Sequence, residues 1–205
     1  MNIFISANNT GCGKTYATLK LIEAFSKNGY KVGVMKPVET EVTDYPKDGK
    51  KLFETAKRFN PLLNSLTIDD IVPIQLTLPA APAVAGRVDF EKIKDSYNKI
   101  KQLCDILLIE GAGGLLVPVT ETFFMVDFIK FFQAKLFLVI GSKLGMINDF
   151  LLNKYYLEKE NINYVWAVNL FDESYYEISH PFIKKYNPLI LQKDLDKIAK
   201  KFTGE

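Results

Sequence analysis

Histidine is nearly missing from this chain: His180 is the one copy in 205 residues. A Ser-His-Asp relay or a multi-histidine metal centre therefore has little to draw on. His180 itself reads as a surface or helix-capping residue. Cysteine is scarce as well. Cys12 and Cys104 lack metal-ligand spacing, and a disulfide is not expected in a reducing compartment, so both read as small buried side chains. Neither sign of charge dominates, since 26 Lys and Arg face 24 Asp and Glu for a net charge of +2. That balance argues against a surface built to coat nucleic acid. No apolar run is long enough to span a bilayer, and no charged region followed by an apolar core opens the sequence. A cytoplasmic protein with no membrane or nucleic-acid partner is the expectation. Repeats, low-complexity tracts and linkers are also absent. With 48% hydrophobic residues, one α/β domain over 1–205 with its own core is expected.

Against these absences stands one concentrated signal. Residues 7–15 read Ala-Asn-Asn-Thr-Gly-Cys-Gly-Lys-Thr. They follow an apolar strand over 2–6 and precede a helical pattern over 16–27. Strand, glycine loop, Gly-Lys-Thr and helix form the context of a phosphate-binding loop. Backbone N–H groups over Asn9, Gly11, Cys12, Gly13 and the helix start at Tyr16 attract an anion. Lys14 adds a mobile positive charge for the β and γ phosphates, and Thr15 offers a hydroxyl to Mg2+. The loop departs from the usual pattern: its first glycine would fall at Asn8, and a longer loop starting at Ala7 fits better. A nucleoside triphosphate is the expected ligand.

Apolar, β-rich runs then alternate with amphipathic stretches. A strand is predicted over 31–38, with Asn28 and Gly29 stopping the helix before it. A polar loop over 39–50, a short helix over 51–59 and an extended segment over 72–78 follow. Phe90, Ile93, Tyr97, Ile100 and Leu103 recur on one face of a helix over 90–103. Continuous apolar runs over 105–110 and 136–141 read as central parallel strands buried on both faces. A helix over 146–158, strands over 164–170 and 188–191, and a last helix over 193–202 complete the pattern. The expected fold is α/β: a doubly wound, mainly parallel sheet of the P-loop NTPase type.

In such sheets ligands sit at the carboxyl ends of the strands, and the suggestive polar residues fall there. Lys36 ends the second strand and Asn169 ends a later one. Glu110 ends a buried strand, where an acid is costly unless it meets a cation. Mg2+ on a bound triphosphate is one such partner; a lysine is the other. Gly113 and its neighbours permit close backbone approach to a ligand, as would a plain tight turn.

Four segments in order, Thr-x-x-Gly-Lys-Thr, Met-Lys-Pro-Val, Ile-Glu-Gly-Ala-Gly-Gly and Gly-Ser-Lys-Leu-Gly-Met-Ile-Asn, resemble those of dethiobiotin synthetase. This is the ATP-dependent carboxylase family of biotin synthesis, and the likeness covers the chain from its first strand to about Asn169. It implies 7,8-diaminononanoate, CO2 or bicarbonate and ATP as substrates, reacting through a carbamate and a carbamic–phosphoric anhydride. It assigns Lys14, Lys36 and Thr10 to charge neutralisation at the reacting groups. Thr15, Asp48 and Glu110 would hold Mg2+, and Asn169 would contact the base. Thr40 and Gly111 would border the substrate. A homodimer is implied, with Met146, Ile147 and Asn148 of the other subunit capping the substrate carboxylate at a helix N-terminus.

This chain departs from the family at several points. Ala7 stands for the usual first loop glycine, and Asn9 and Gly11 for acids. Residues 188–193 stand for a Gly-x-x-Pro-type segment around the adenine, so looser base recognition is expected. The main alternative is a partition-type regulatory ATPase, a nucleotide-switched binding module. Its second loop lysine would fall at Asn9, and its amphipathic membrane-targeting helix is poorly matched by the short, charged stretch over 193–202. A guanine-reading Asn-Lys-x-Asp is also absent at Asn169, where the lysine is missing.

Overall fold

The computed structural model describes residues 1–204. Strand β1 (Asn2–Ala7) is buried along its whole length and leads through the glycine loop into α1 (Lys14–Lys27). The chain continues through β2 (Val32–Met35), β3 (Val38–Glu39), α2 (Lys47–Phe59), α3 (Ile68–Ile71), β4 (Ile74–Gln75), α4 (Pro82–Ala85) and α5 (Phe90–Lys101). Then come β5 (Ile106–Gly114), α6 (Asp127–Phe131), β6 (Lys135–Gly141), α7 (Met146–Lys159) and β7 (Tyr164–Asn169). Helices α8 (Tyr175–Ile178) and α9 (His180–Ile183), strand β8 (Leu189–Ile190) and α10 (Leu195–Thr203) complete it.

Six strands form one sheet in the order β2-β5-β1-β6-β7-β8, and every pairing is parallel. The doubly wound expectation holds. Parallel pairing explains the uninterrupted apolar runs, because helices on the faces leave no solvated side to alternate with. Ile3, Phe4 and Ile5 in β1, Leu107 to Ile109 in β5 and Phe137 to Ile140 in β6 have no exposed surface. Phe4 meets Phe128 of α6 with 6.2 Å between ring centroids.

Several boundaries differ from the sequence reading, each for a local reason. The strand expected over 31–38 breaks at Lys36 and Pro37, since proline has no N–H for a central ladder. Beyond the break, β3 leaves the main sheet and pairs with β4, all that forms of the expected segment over 72–78. Helix α2 begins at Lys47 rather than 51, so Asp48 sits in its first turn and not in a loop. Strand β5 does not end at Glu110. It runs on to Gly114, and Gly114 still registers with Ala7 of β1 after a shift. The segments 61–65, 68–71 and 175–186 fold as short helical turns too brief to show a period. Cys12 is buried as expected, but Cys104 is only half-buried. His180 opens α9, its ring against Tyr175 and Tyr176.

Candidate active site

Parallel strands deliver their carboxyl ends to one edge of the sheet, and there β1, β2 and β5 bring three charged side chains together. Lys14 is the first residue of α1. Gly13, just before it, adopts φ 96°, a left-handed conformation that favours glycine. A Cβ there would also stand 2.1 Å from Asn169 Nδ2. The turn thereby aims the first N–H groups of α1, which lack helical partners, into a cleft of about 350 Å3. Thr10, Gly11, Gly13, Lys14, Thr15 and Lys36 line its phosphate side. Thr40, Glu41, Asp48 and Gly113 line the other.

Glu110 lies beneath this cleft with no exposed surface. Its Oε1 is 2.7 Å from Lys36 Nζ and accepts from the Thr15 hydroxyl at 3.0 Å. Oε2 lies 2.9 Å from Thr18 Oγ1, whose one proton is shared with the Lys14 carbonyl oxygen, also at 2.9 Å. Of the two partners open to Glu110 in the sequence, the lysine is present. Asp48 Oδ2 stands 3.9 Å from the same Lys36 ammonium. Glu39 orients Asp48 by accepting from the N–H groups of Asp48 and Gly49, at 2.9 and 2.8 Å, in the first turn of α2. An acid there complements the positive end of the helix.

The two lysines differ in kind. Burial alone would depress the Lys36 ammonium, but the charge of Glu110, then that of Asp48, and the Glu110 hydrogen bond hold it above its ordinary value. Lys14 has no ion-pair partner among the described residues, and its Nζ lies 3.4 Å from the Asn9 carbonyl oxygen. Burial, then the neighbouring Lys36 charge, brings it down to about 8. Lys36 is therefore a fixed cation held by acids, whereas Lys14 is a desolvated cation without a counter-ion. An anion in the cleft would supply what Lys14 lacks. Burial also pushes the Glu39 carboxyl up, against the two N–H bonds that it accepts.

Other predicted residues take different places. Asn9 lines a neighbouring pocket with Leu115, Val117 and Tyr156. Cys12 is buried in the loop, and Tyr16 points outward with 39% exposure. Gly111 is buried rather than set against the cleft: a Cβ there would stand 2.8 Å from the Phe4 ring. Its carbonyl oxygen lies 3.4 Å from Lys36 Nζ. Ala112, next along the strand, lines the cleft in its place. Met146, Ile147 and Asn148 open α7, outside this cleft. Asn169 sits behind the glycine loop, its Nδ2 donating to the Cys12 carbonyl at 3.1 Å.

Sequence reasoning missed four residues that hold this arrangement. Asn8 fills the place of the missing glycine with a cross-link: Oδ1 accepts from Gly141 N–H at 3.1 Å and Nδ2 donates to Asp149 at 2.8 Å. Thr18 closes the shell of Glu110 from 92 positions away. Gln192 donates to Asn169 Oδ1 at 2.7 Å and fixes that amide. Glu39 alone left a readable signal, an acid directly after the apolar Pro37 and Val38.

The chain is similar to known proteins over most of its length. Residues 1–191 match a family model described as AAA domain. The chain is 44% identical over 186 residues to the ATP-dependent dethiobiotin synthetase of Sulfurovum sp., covering 88% of this chain and 89% of that one. It is 36% identical to the protein of that name in Wolinella succinogenes, covering 89% and 88%. Among solved structures, a plasmid partition protein of Borrelia burgdorferi superposes with a TM-score of 0.58 at 13% identity, covering 99% and 98%. The MinD cell division protein of Aquifex aeolicus gives 0.55 at 16%, covering 100% and 97%. At such identities these two structures speak for the P-loop fold alone.

Proposed function

The chain belongs to the dethiobiotin synthetase family, and from that premise we propose that it closes the ureido ring of dethiobiotin from 7,8-diaminononanoate, CO2 and ATP. The observation that carries the reading is the meeting of Lys14, Lys36 and Thr15 above Glu110 at one cleft of about 350 Å3. One substrate amine adds to CO2 and loses a proton, giving a carbamate. A carbamate oxygen attacks the γ-phosphorus and ADP leaves, which yields a carbamic–phosphoric anhydride. The second amine attacks the carbamoyl carbon, inorganic phosphate leaves, and the cyclic urea remains.

This chemistry needs positioning and charge neutralisation more than a protein nucleophile, which suits a cleft of lysines, hydroxyls and amides. Lys36, held by Glu110, gives a fixed positive charge beside the carbamate and the phosphoryl group in transfer. Lys14 gives a second charge that follows the γ-phosphate, and Thr10 a hydrogen bond from the loop. The oxygen donors suit Mg2+: Thr15 and Asp48, which line the cleft, would hold it, and Glu110 would join them by giving up part of its contact with Lys36 and Thr15. Bound there it supplies further positive charge to the phosphate oxygens. An isotope experiment tests the proposed order of bonds. With 18O-labelled bicarbonate, one labelled oxygen is expected in the released phosphate for each turnover. Unlabelled phosphate would rule out attack by the carbamate oxygen.

A homodimer is part of the same proposal. Leu116, Leu152 and Tyr155 are 54%, 60% and 70% exposed, around the apolar pocket lined by Leu115, Val117 and Tyr156. Exposed apolar side chains in one area suit a second copy. It would bring its own Met146, Ile147 and Asn148 toward the substrate carboxylate. Sedimentation equilibrium at micromolar concentration is expected to give a dimer for the native chain and monomer for Leu152→Glu. A monomeric native chain would remove this part of the proposal.

A further inference from the structure

Four acids belong to the cleft, and three have structural work. Glu110 pairs with Lys36, Asp48 stands against the same ammonium, and Glu39 caps α2. Glu41 differs. Among the described residues its carboxylate has no ion pair and no hydrogen bond. Its side chain is exposed, and it lines both the phosphate cleft and an adjoining pocket of about 270 Å3. Pro79, Ala80, Ala81, Pro82 and Val117 give that second pocket its apolar wall.

The backbone at Glu41 is also unusual. Its φ is 61°, and its N–H donates to the Leu78 carbonyl at 3.2 Å. A left-handed conformation strains a residue with a Cβ, and glycine would avoid that strain. Strain of this kind is often kept at functional sites. No packing need accounts for a glutamate at an exposed position.

The proposed substrate carries two vicinal amines at one end of an apolar chain. While one amine reacts, the other enters as an ammonium that needs a negative partner. Across the cleft the loop offers Thr10, Gly11 and Gly13, none of them acidic, and the nearby cations are Lys14 and Lys36. An ammonium placed between those lysines and the loop would be repelled unless a carboxylate faced it. Glu41 stands where the polar cleft meets the apolar wall, the junction at which the diamine end of such a molecule passes into its methylene chain.

We propose that Glu41 is a substrate-binding residue, its carboxylate receiving the substrate ammonium opposite the phosphate loop. The inference rests on the synthetase reading, and one set of kinetics separates the two. Initial rates would be measured with 7,8-diaminononanoate and with ATP varied in turn, for the native chain, Glu41→Gln, Glu41→Gly and Glu41→Asp. A charge-assisted contact predicts a rise of roughly tenfold to a hundredfold in KM for the diamine with Gln and Gly, and partial rescue with Asp. KM for ATP stays unchanged. Glu41→Gly relieves the backbone, so its melting temperature is expected to hold or rise although substrate binding is lost. The diamine KM of the native chain rises with salt, and that of Glu41→Gln much less. Unchanged diamine KM in Glu41→Gln and Glu41→Gly, with a native chain that turns over, overturns the Glu41 assignment alone. A native chain that forms no dethiobiotin overturns the synthetase reading and takes this assignment with it.

Discussion

Glu110→Ala is expected to lower the melting temperature by roughly 6–20 °C, the equivalent of about 3–5 kcal/mol in a chain of this size. Lys36 and Glu110 are 4% and 0% exposed and 2.7 Å apart. Their mutual attraction in the interior offsets the cost of removing both from water, and neither is stable there alone. Deleting the acid leaves a buried ammonium whose remaining carboxylate, Asp48, is 3.9 Å away and partly solvated. The Thr15 and Thr18 hydroxyls lose an acceptor in the same step. The double variant Lys36→Met, Glu110→Met removes both charges and keeps most of the volume, so it should regain most of the lost stability while remaining inactive. Thermal unfolding of the three proteins decides the matter. A single variant as stable as the native chain would mean that the pair is not the electrostatic floor of the cleft.

Lys14→Met should behave in the opposite way, with kcat reduced by roughly 100-fold to 1,000-fold or more and a melting temperature that holds or rises. The Lys14 ammonium is desolvated, sits beside Lys36 and has no acidic partner of its own. Its removal therefore relieves repulsion in the resting protein and takes charge from the transferring phosphoryl group. Sites that hold like charges together for function commonly show this exchange of activity against stability. A pH signature accompanies it. In the free protein Lys14 loses its proton as pH rises through about 8, whereas a bound triphosphate favours the charged form. Nucleotide affinity is therefore level below that pH and weakens above it, with proton uptake on binding. Calorimetry near about pH 7 and about pH 9, in buffers of different ionisation enthalpy, should show the uptake in the native chain and not in Lys14→Met. A variant that is both inactive and strongly destabilised would point instead to Lys14 as a structural residue of the loop.

These contrasts show which parts of the molecule local sequence carries. The glycine loop was legible because strand, turn and helix are contiguous and their chemistry is local. The central strands were legible because burial on both faces leaves no alternation to confuse them. The break at Pro37 could be read only in part, since proline interrupts a ladder without stating where the next strand pairs. Asp48 reads as a loop residue because Lys47, Asp48, Gly49 and Lys50 show no apolar period. What starts α2 there is the carboxylate of Glu39, nine residues earlier. Gly111 showed the same limit: beside Glu110 it suggested approach to a ligand, but the constraint is the Phe4 ring on the next strand. Thr18 with Glu110, and Asn169 with Gln192, are pairings set by topology across 92 and 23 positions, and no local pattern announces them.

The most direct test incubates the purified chain with 7,8-diaminononanoate, bicarbonate, Mg2+ and ATP and looks for dethiobiotin by mass spectrometry. The account predicts product from the native chain, and little or none from Lys14→Met. Absence of product with every nucleoside triphosphate, from a protein shown to bind nucleotide, would contradict it and favour a nucleotide-switched binding module on the same fold.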